Sequence, residues 1–149
     1  MRVVYVAAAA LYNDQGQILL AQRPEDKAMA GLWEFPGGKI ESEETPEQAL
    51  VRELSEELSI MVNEDDCKPV TFASHAYESF HLFMPLYEVR RWSGTPSPIE
   101  GQKLSWVTPD DLNTFPAPAA DIPLFEELTS RHRGRYNVDN QNTRHAVLP

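Results

Sequence analysis

A single cysteine, Cys67, stands in the 149 residues, so no internal disulfide forms and the chain suits a reducing, cytoplasmic setting. Cys67 lies near a turn without a paired His or Asp motif and is expected to be structural. Basic residues are scarce as well: 13 Lys and Arg face 23 Asp and Glu, a net charge of −10. A surface that tracks DNA or RNA needs a basic stripe, so no nucleic-acid polymer is expected as a partner. No apolar run is long enough to span a membrane, so none is expected there either. Val3 to Leu11, behind Met1-Arg2, imitates a secretion signal only in outline. It leads into the polar turn Asn13-Asp14-Gln15-Gly16 and a second apolar segment, Ile18 to Ala21, which together predict a hairpin-like pair of strands. His75 and His81 have no His or Cys partner at metal spacing and are assigned to strands. Internal repeats and low-complexity segments are absent.

What is present concentrates between Gly31 and Ile60. Thr45 is placed to cap a helix, Pro46 suits its first position, and Gln48 stands where a capping-box partner belongs. Leu50, Leu54 and Leu58 then form an apolar stripe. Glu53, Glu56 and Glu57, at i, i+3 and i+4, share another face with Arg52 as the nearby cation. Three carboxylates at that spacing repel unless a cation sits against them, and oxygen-only ligands point to Mg²⁺, with Mn²⁺ as the alternative. Pro36-Gly37-Gly38-Lys39 precedes the helix as a glycine turn able to approach a ligand closely, with Lys39 as a point charge. A glycine loop, a lysine and a carboxylate-lined helix are parts for handling a metal-bound polyphosphate. Seven glutamates between Glu41 and Glu57 make this the acidic centre of the chain.

From Gly38, five residues lead to Glu44 and seven more to Arg52-Glu53, followed by Leu54, Ser55, Glu56-Glu57, Leu58, Ser59 and Ile60. This resembles the Nudix box, G-x5-E-x7-R-E-U-x-E-E-x-G-U with U aliphatic, at every fixed position but one, where Ser59 replaces glycine. The phrase from Glu34 to Glu41, with Glu44 to Ala49 after it, resembles the MutT branch. A glycine past the helix end commonly takes the left-handed conformation. Serine there costs roughly 1 kcal/mol, unless the turn is built differently.

The resemblance implies an α/β fold, the Nudix α/β/α sandwich with a mixed β-sheet, and covers Val3 to Leu128. Strands are expected at Val70 to Tyr77, His81 to Trp92 and Lys103 to Val107, with Pro85 marking a sheet edge or a bulge. A last helix is expected from Ala119 or Pro123 to Arg131. Residues 1–131 then form one Nudix hydrolase domain and residues 132–149 a polar C-terminal extension, flexible in composition. The protein is expected to be a monomer.

The resemblance also implies site roles. Glu53, Glu56, Glu57, the Gly37 carbonyl and Glu100 (in the context Glu100-Gly101-Gln102) would bind two or three Mg²⁺. Gly38, Glu44 and Arg52 would anchor the box, while Arg23 and Lys39 would hold phosphates. Arg23 is equally explicable as a surface residue. Water would attack the second phosphate of a nucleoside triphosphate, releasing a monophosphate and pyrophosphate. Glu53 is the first candidate for the proton acceptor, with Glu56 and Glu100 as alternatives. MutT proteins read the base with an asparagine where this chain has Asp121. An ionised carboxylate only accepts hydrogen bonds, which matches the two adjacent donors of guanine better than cytosine. A helix N-cap is the competing role for Asp121. Phe35, Phe80 and Phe83 would pack a base or fill the core. The expected function is removal of 8-oxo-dGTP from the nucleotide pool, which prevents replication errors. The alternatives are hydrolysis of CTP or another nucleotide, or a non-catalytic nucleotide-binding module.

Overall fold

The computed structural model describes residues 1–147, with side chains described as far as residue 134. Its elements are β1 (Val3–Leu11), β2 (Ile18–Gln22), β3 (Trp33–Glu34), β4 (Gly37–Lys39), α1 (Pro46–Leu58), β5 (Lys68–Ala76), β6 (His81–Val89), β7 (Lys103–Val107) and α2 (Ile122–Val147). Short 3-10 turns cover Glu64–Asp66 and Pro109–Thr114.

β1 is the axis of the molecule. Its inner half is apolar on both faces, so it needs cover on both. Ala7, Ala9 and Leu11 pack with Leu50, Leu54 and Leu58 of α1, whereas Ala8 and Ala10 pack with Leu124, Phe125 and Leu128 of α2. A mixed sheet ordered β4-β1-β6-β5 therefore lies between two helices, the α/β/α sandwich. A second, antiparallel sheet has the order β3-β2-β7.

α1 starts as its sequence dictates. Gln48 N–H donates to Thr45 Oγ1 at 3.1 Å, and Thr45 N–H donates to Gln48 Oε1 at 2.9 Å. Burying each leucine of its stripe contributes about 2 kcal/mol. Like charges at i, i+4 cost only about 0.5 kcal/mol. Packing wins, so the helix carries its acidic face at little cost. At the far end Ser59 takes the left-handed conformation, φ 58° and ψ 37°, and its N–H donates to Ser55 O at 3.1 Å.

Three expectations about the strands are corrected. β1 and β2 do not form a hairpin ladder: they enter different sheets and pair only through the antiparallel bridge Tyr12–Ile18, because β1 is flanked by β4 and β6. Pro85 is neither at an edge nor at a bulge, since β6 lies inside the sheet and Pro85 pairs with Phe72. Its missing N–H is accommodated by a lapse in the β1–β6 ladder between Tyr5–Phe83 and Ala8–Leu86, with the register unchanged across it. Gly37 to Lys39 is an edge strand, not a turn, pairing with Val6 to Ala8.

α2 runs past the expected stop at Arg131 as far as Val147, so the helix crosses the proposed boundary between residues 131 and 132. The flexible character assigned to the extension falls mostly on side chains beyond residue 134 and on residues 148–149, outside the described residues.

Candidate active site

The acidic face of α1 lies against β4, and two glycines make the approach possible. A Cβ on Gly38 would stand 2.3 Å from Glu53 Cδ, and one on Gly37 would stand 2.0 Å from Ala7 O. Gly37 also has φ +150°, which side chains rarely adopt. Its N–H donates to Glu57 Oε2 at 3.3 Å. Arg52 ties the same parts together. It grips Glu44 with two bonds, 2.8 and 2.9 Å, and donates to Lys39 O at 3.1 Å. Its Nη1 also lies 2.9 Å from Glu53 Oε1 and 3.4 Å from Glu56 Oε2. Arg52, Glu44 and Gly38 thus connect α1, β4 and the loop between them.

Charge is unevenly held here. Arg52 keeps the Glu44 carboxyl down at about 2, mainly through its hydrogen bonds. Burial pushes Glu57 up to about 8; the Gly37 N–H opposes this, while Glu53, Glu100 and Glu34 add to it. Glu53 is raised as well, first by burial, against Arg52 and with Glu56 and Glu100. Glu56 is the open one, with 58% of its side chain exposed.

Glu57 and Glu100 line a cleft of about 490 Å³ with Arg23, Lys27, Glu34, Phe35, Gly37 and Gln102. Arg23 Nη1 donates to Ala28 O at 3.2 Å, and Nε lies 3.1 Å from Glu34 Oε1. That Nε is buried without a hydrogen-bond partner, so the ion pair is close but misaligned. Burial raises Glu34 despite Arg23. Lys39 is exposed at the end of β4, outside the cleft lining, whereas Lys27 is on it. Sequence reasoning passed over Lys27, Glu34 and Gln102; the context Glu100-Gly101-Gln102 was the one available signal for the last.

Asp121 is 4% exposed. Its backbone stands at the N-cap, accepting from Phe125 N–H at 2.9 Å, but its side chain does not cap. Oδ2 instead accepts from Phe35 N–H at 3.3 Å. Burial, reinforced by Glu34, pushes this carboxyl up to about 7. Phe35 is a core residue, edge-on to Phe125 with centroids 5.2 Å apart, which lends its neighbourhood to the cleft. Phe80 stacks on Tyr77 and Phe83 on Phe72, and neither lines the cleft. Cys67 is buried, with its thiol pushed up to about 11 mainly by burial, as a structural residue requires.

The donors fit a hard cation. They are carboxylate and carbonyl oxygens, and the charge on Glu100 opposes the ionisation of Glu53 and of Glu57, a conflict that a divalent ion relieves. Among the described residues no three ligating side chains stand together at metal-holding distance. Glu53 and Glu56 face Arg52 Nη1, so they must turn from it to share an ion.

The sequence model of the NUDIX domain matches residues 7–127. The chain belongs to the Nudix family. Within it, the MutT-like group is the one resembled. A CTP pyrophosphohydrolase of Escherichia coli is 41% identical over 91% of this chain and 98% of its own length. An 8-oxo-dGTP diphosphatase of Haemophilus influenzae is 38% identical over 85% and 92%. The solution structure of the E. coli ORF135 protein superposes with a TM-score of 0.79 at 38% identity, covering 91% of this chain and 94% of that one. This Nudix protein is a hydrolase acting on phosphoric anhydride bonds. No helix among the described residues is long and apolar enough to cross a membrane.

Proposed function

We propose that this Nudix hydrolase is a Mg²⁺-dependent nucleoside triphosphate pyrophosphohydrolase that converts 8-oxo-dGTP to 8-oxo-dGMP and pyrophosphate, cleaning the pool for replication. The observation that carries the reading is the cleft itself, with Glu57 and Glu100 on its wall beside the cations Arg23 and Lys27. Glu53, Glu56, Glu57, Glu100 and the Gly37 carbonyl would hold Mg²⁺, or Mn²⁺ in its place. Bound there, the ion supplies neutralisation of phosphate charge and a lowered pKa for water.

The chain's own groups do the rest. Arg23 and Lys39 hold phosphate oxygens, joined by Lys27 on the cleft wall. Glu53 accepts the proton of the attacking water, with Glu56 and Glu100 as the alternative acceptors. Arg52 and Glu44 keep α1 and β4 in place. Asp121, with Oδ2 on Phe35 N–H, turns its other oxygen to the donor edge of guanine, and Phe35 backs the base. In the cell the enzyme works in the cytoplasm as a monomer.

A second reading is hydrolysis of CTP, favoured by the 41% identity to the E. coli CTP pyrophosphohydrolase. The test is turnover of canonical and oxidised nucleotides with Mg²⁺, measuring pyrophosphate against orthophosphate. Preference for 8-oxo-dGTP with pyrophosphate release supports the first reading, and preference for CTP selects the second. Release of orthophosphate alone, or turnover in excess chelator, overturns both.

A further inference from the structure

α1 has no basic side chain in its last turn, yet its final carbonyls need donors. The segment ahead of β7 supplies them. Ser97 N–H donates to Leu58 O at 2.9 Å, and Ile99 N–H donates to Glu57 O at 3.2 Å. Glu57 O accepts a second bond, 3.1 Å, from Gln102 Nε2. The same amide turns its Oε1 to the N–H of Glu100 at 2.9 Å. Gly101, at φ +79°, gives the reversal that brings residue 102 back to residue 100. One half-buried side chain thus joins the backbones of two acidic residues that lie far apart in sequence and line the same cleft.

We propose that Gln102 is a positioning residue which sets the spacing of Glu57 and Glu100, and so the strength with which the cleft holds a divalent cation. This rests on the metal-binding reading above. Only a side chain offering a donor and an acceptor together makes both bonds, and the amide does so without adding charge between two carboxylates. Groups that orient metal ligands typically govern affinity without touching the ion.

The test measures Mn²⁺ binding to the full chain by the electron paramagnetic resonance of the free ion, beside thermal melting in chelator. Q102A and Q102M are compared with wild type and with E57Q. Both Gln102 variants are expected to bind Mn²⁺ about 10–100-fold more weakly. Their metal-free Tm should move by less than about 2 °C. Their turnover should recover at saturating Mg²⁺. Q102M fills the same space without the amide, so wild-type affinity in Q102M overturns the proposal. So does an affinity loss in both variants that comes with a metal-free Tm fall above about 5 °C, because folding then explains it. Unchanged affinity in Q102A with a loss in E57Q defeats the role of Gln102 alone. Unchanged affinity in E57Q removes the metal-binding reading beneath it.

Discussion

Gly38 and Glu53 lie so close that a Cβ on the glycine would stand 2.3 Å from Glu53 Cδ. The obstacle is the end of a flexible side chain, so Gly38→Ala should fold with Glu53 displaced. We expect turnover to fall about 100-fold, because the proposed proton acceptor is then out of place. Gly37→Ala meets backbone instead, 2.0 Å from Ala7 O, at a φ of +150°. It should lose about 2–3 kcal/mol of stability. Chemical denaturation beside steady-state kinetics separates the pair. A stable, slow Gly37→Ala with an unstable Gly38→Ala would refute the assignment.

The pH dependence follows from Glu57 and Asp121. Their ordinary values are 4.5 and 3.8, and burial in the fold raises them to about 8 and about 7. Between those limits the folded form holds protons that the unfolded form has released. Their contribution to stability is complete below the lower values and is lost as pH rises through the higher ones. Metal-free protein should therefore melt at lower temperature at pH 8 than at pH 6. Mg²⁺ must displace the Glu57 proton, so its affinity should rise up to about tenfold per pH unit until about pH 8 and then level off. Calorimetry across this range checks both; flat affinity would disconnect Glu57 from the ion.

Asp121→Ala should weaken the preference for guanine nucleotides about 10–100-fold while changing the rate on a poor substrate less than about threefold. In the wild type that preference should strengthen as pH rises through about 7, where Asp121 ionises and becomes a pure acceptor. Competition between nucleotides across pH measures it. Equal losses on every base would leave Asp121 as a structural residue bonded to Phe35.

Ser59→Gly should stabilise the protein by about 1 kcal/mol, because glycine adopts the left-handed region without a Cβ penalty. Ser59 is in that region, at φ 58°. For a chain of this size the change is worth about 3 °C in Tm. Its side chain takes no part in the cleft, so kcat should not move. Destabilisation instead would mean that the serine hydroxyl supports the turn.

The helix was legible because its signals are local. Thr45, Pro46 and Gln48 cap within one turn, and the leucine stripe and acidic face follow from helical periodicity. The paired glycines were legible as a special backbone but not as a strand. Gly37 to Lys39 becomes one only by pairing with Val6 to Ala8, which lie some thirty residues earlier. Pro85 misled for the same reason. Its lost hydrogen bond is absorbed by a gap in the β1 ladder, a long-range accommodation without local trace. Lys27 and Lys39 were indistinguishable as charges, and only the course of the chain puts the first on the cleft and the second outside it.

By itself the sequence determined the family, the box helix with its caps, the three glutamates on one face and the apolar strand that needs cover on both sides. Each depends on neighbours within a few residues or on periodicity, which a linear string records. Tertiary structure alone decided that Asp121 bonds Phe35 rather than capping its helix, that Arg52 reaches across from α1 to Lys39 O on β4, and that Gln102 ties Glu57 to Glu100. Those contacts join segments distant in sequence. They arise from which sheet edges and helix ends must find hydrogen-bond partners once the core has closed, and the order of residues does not encode that locally.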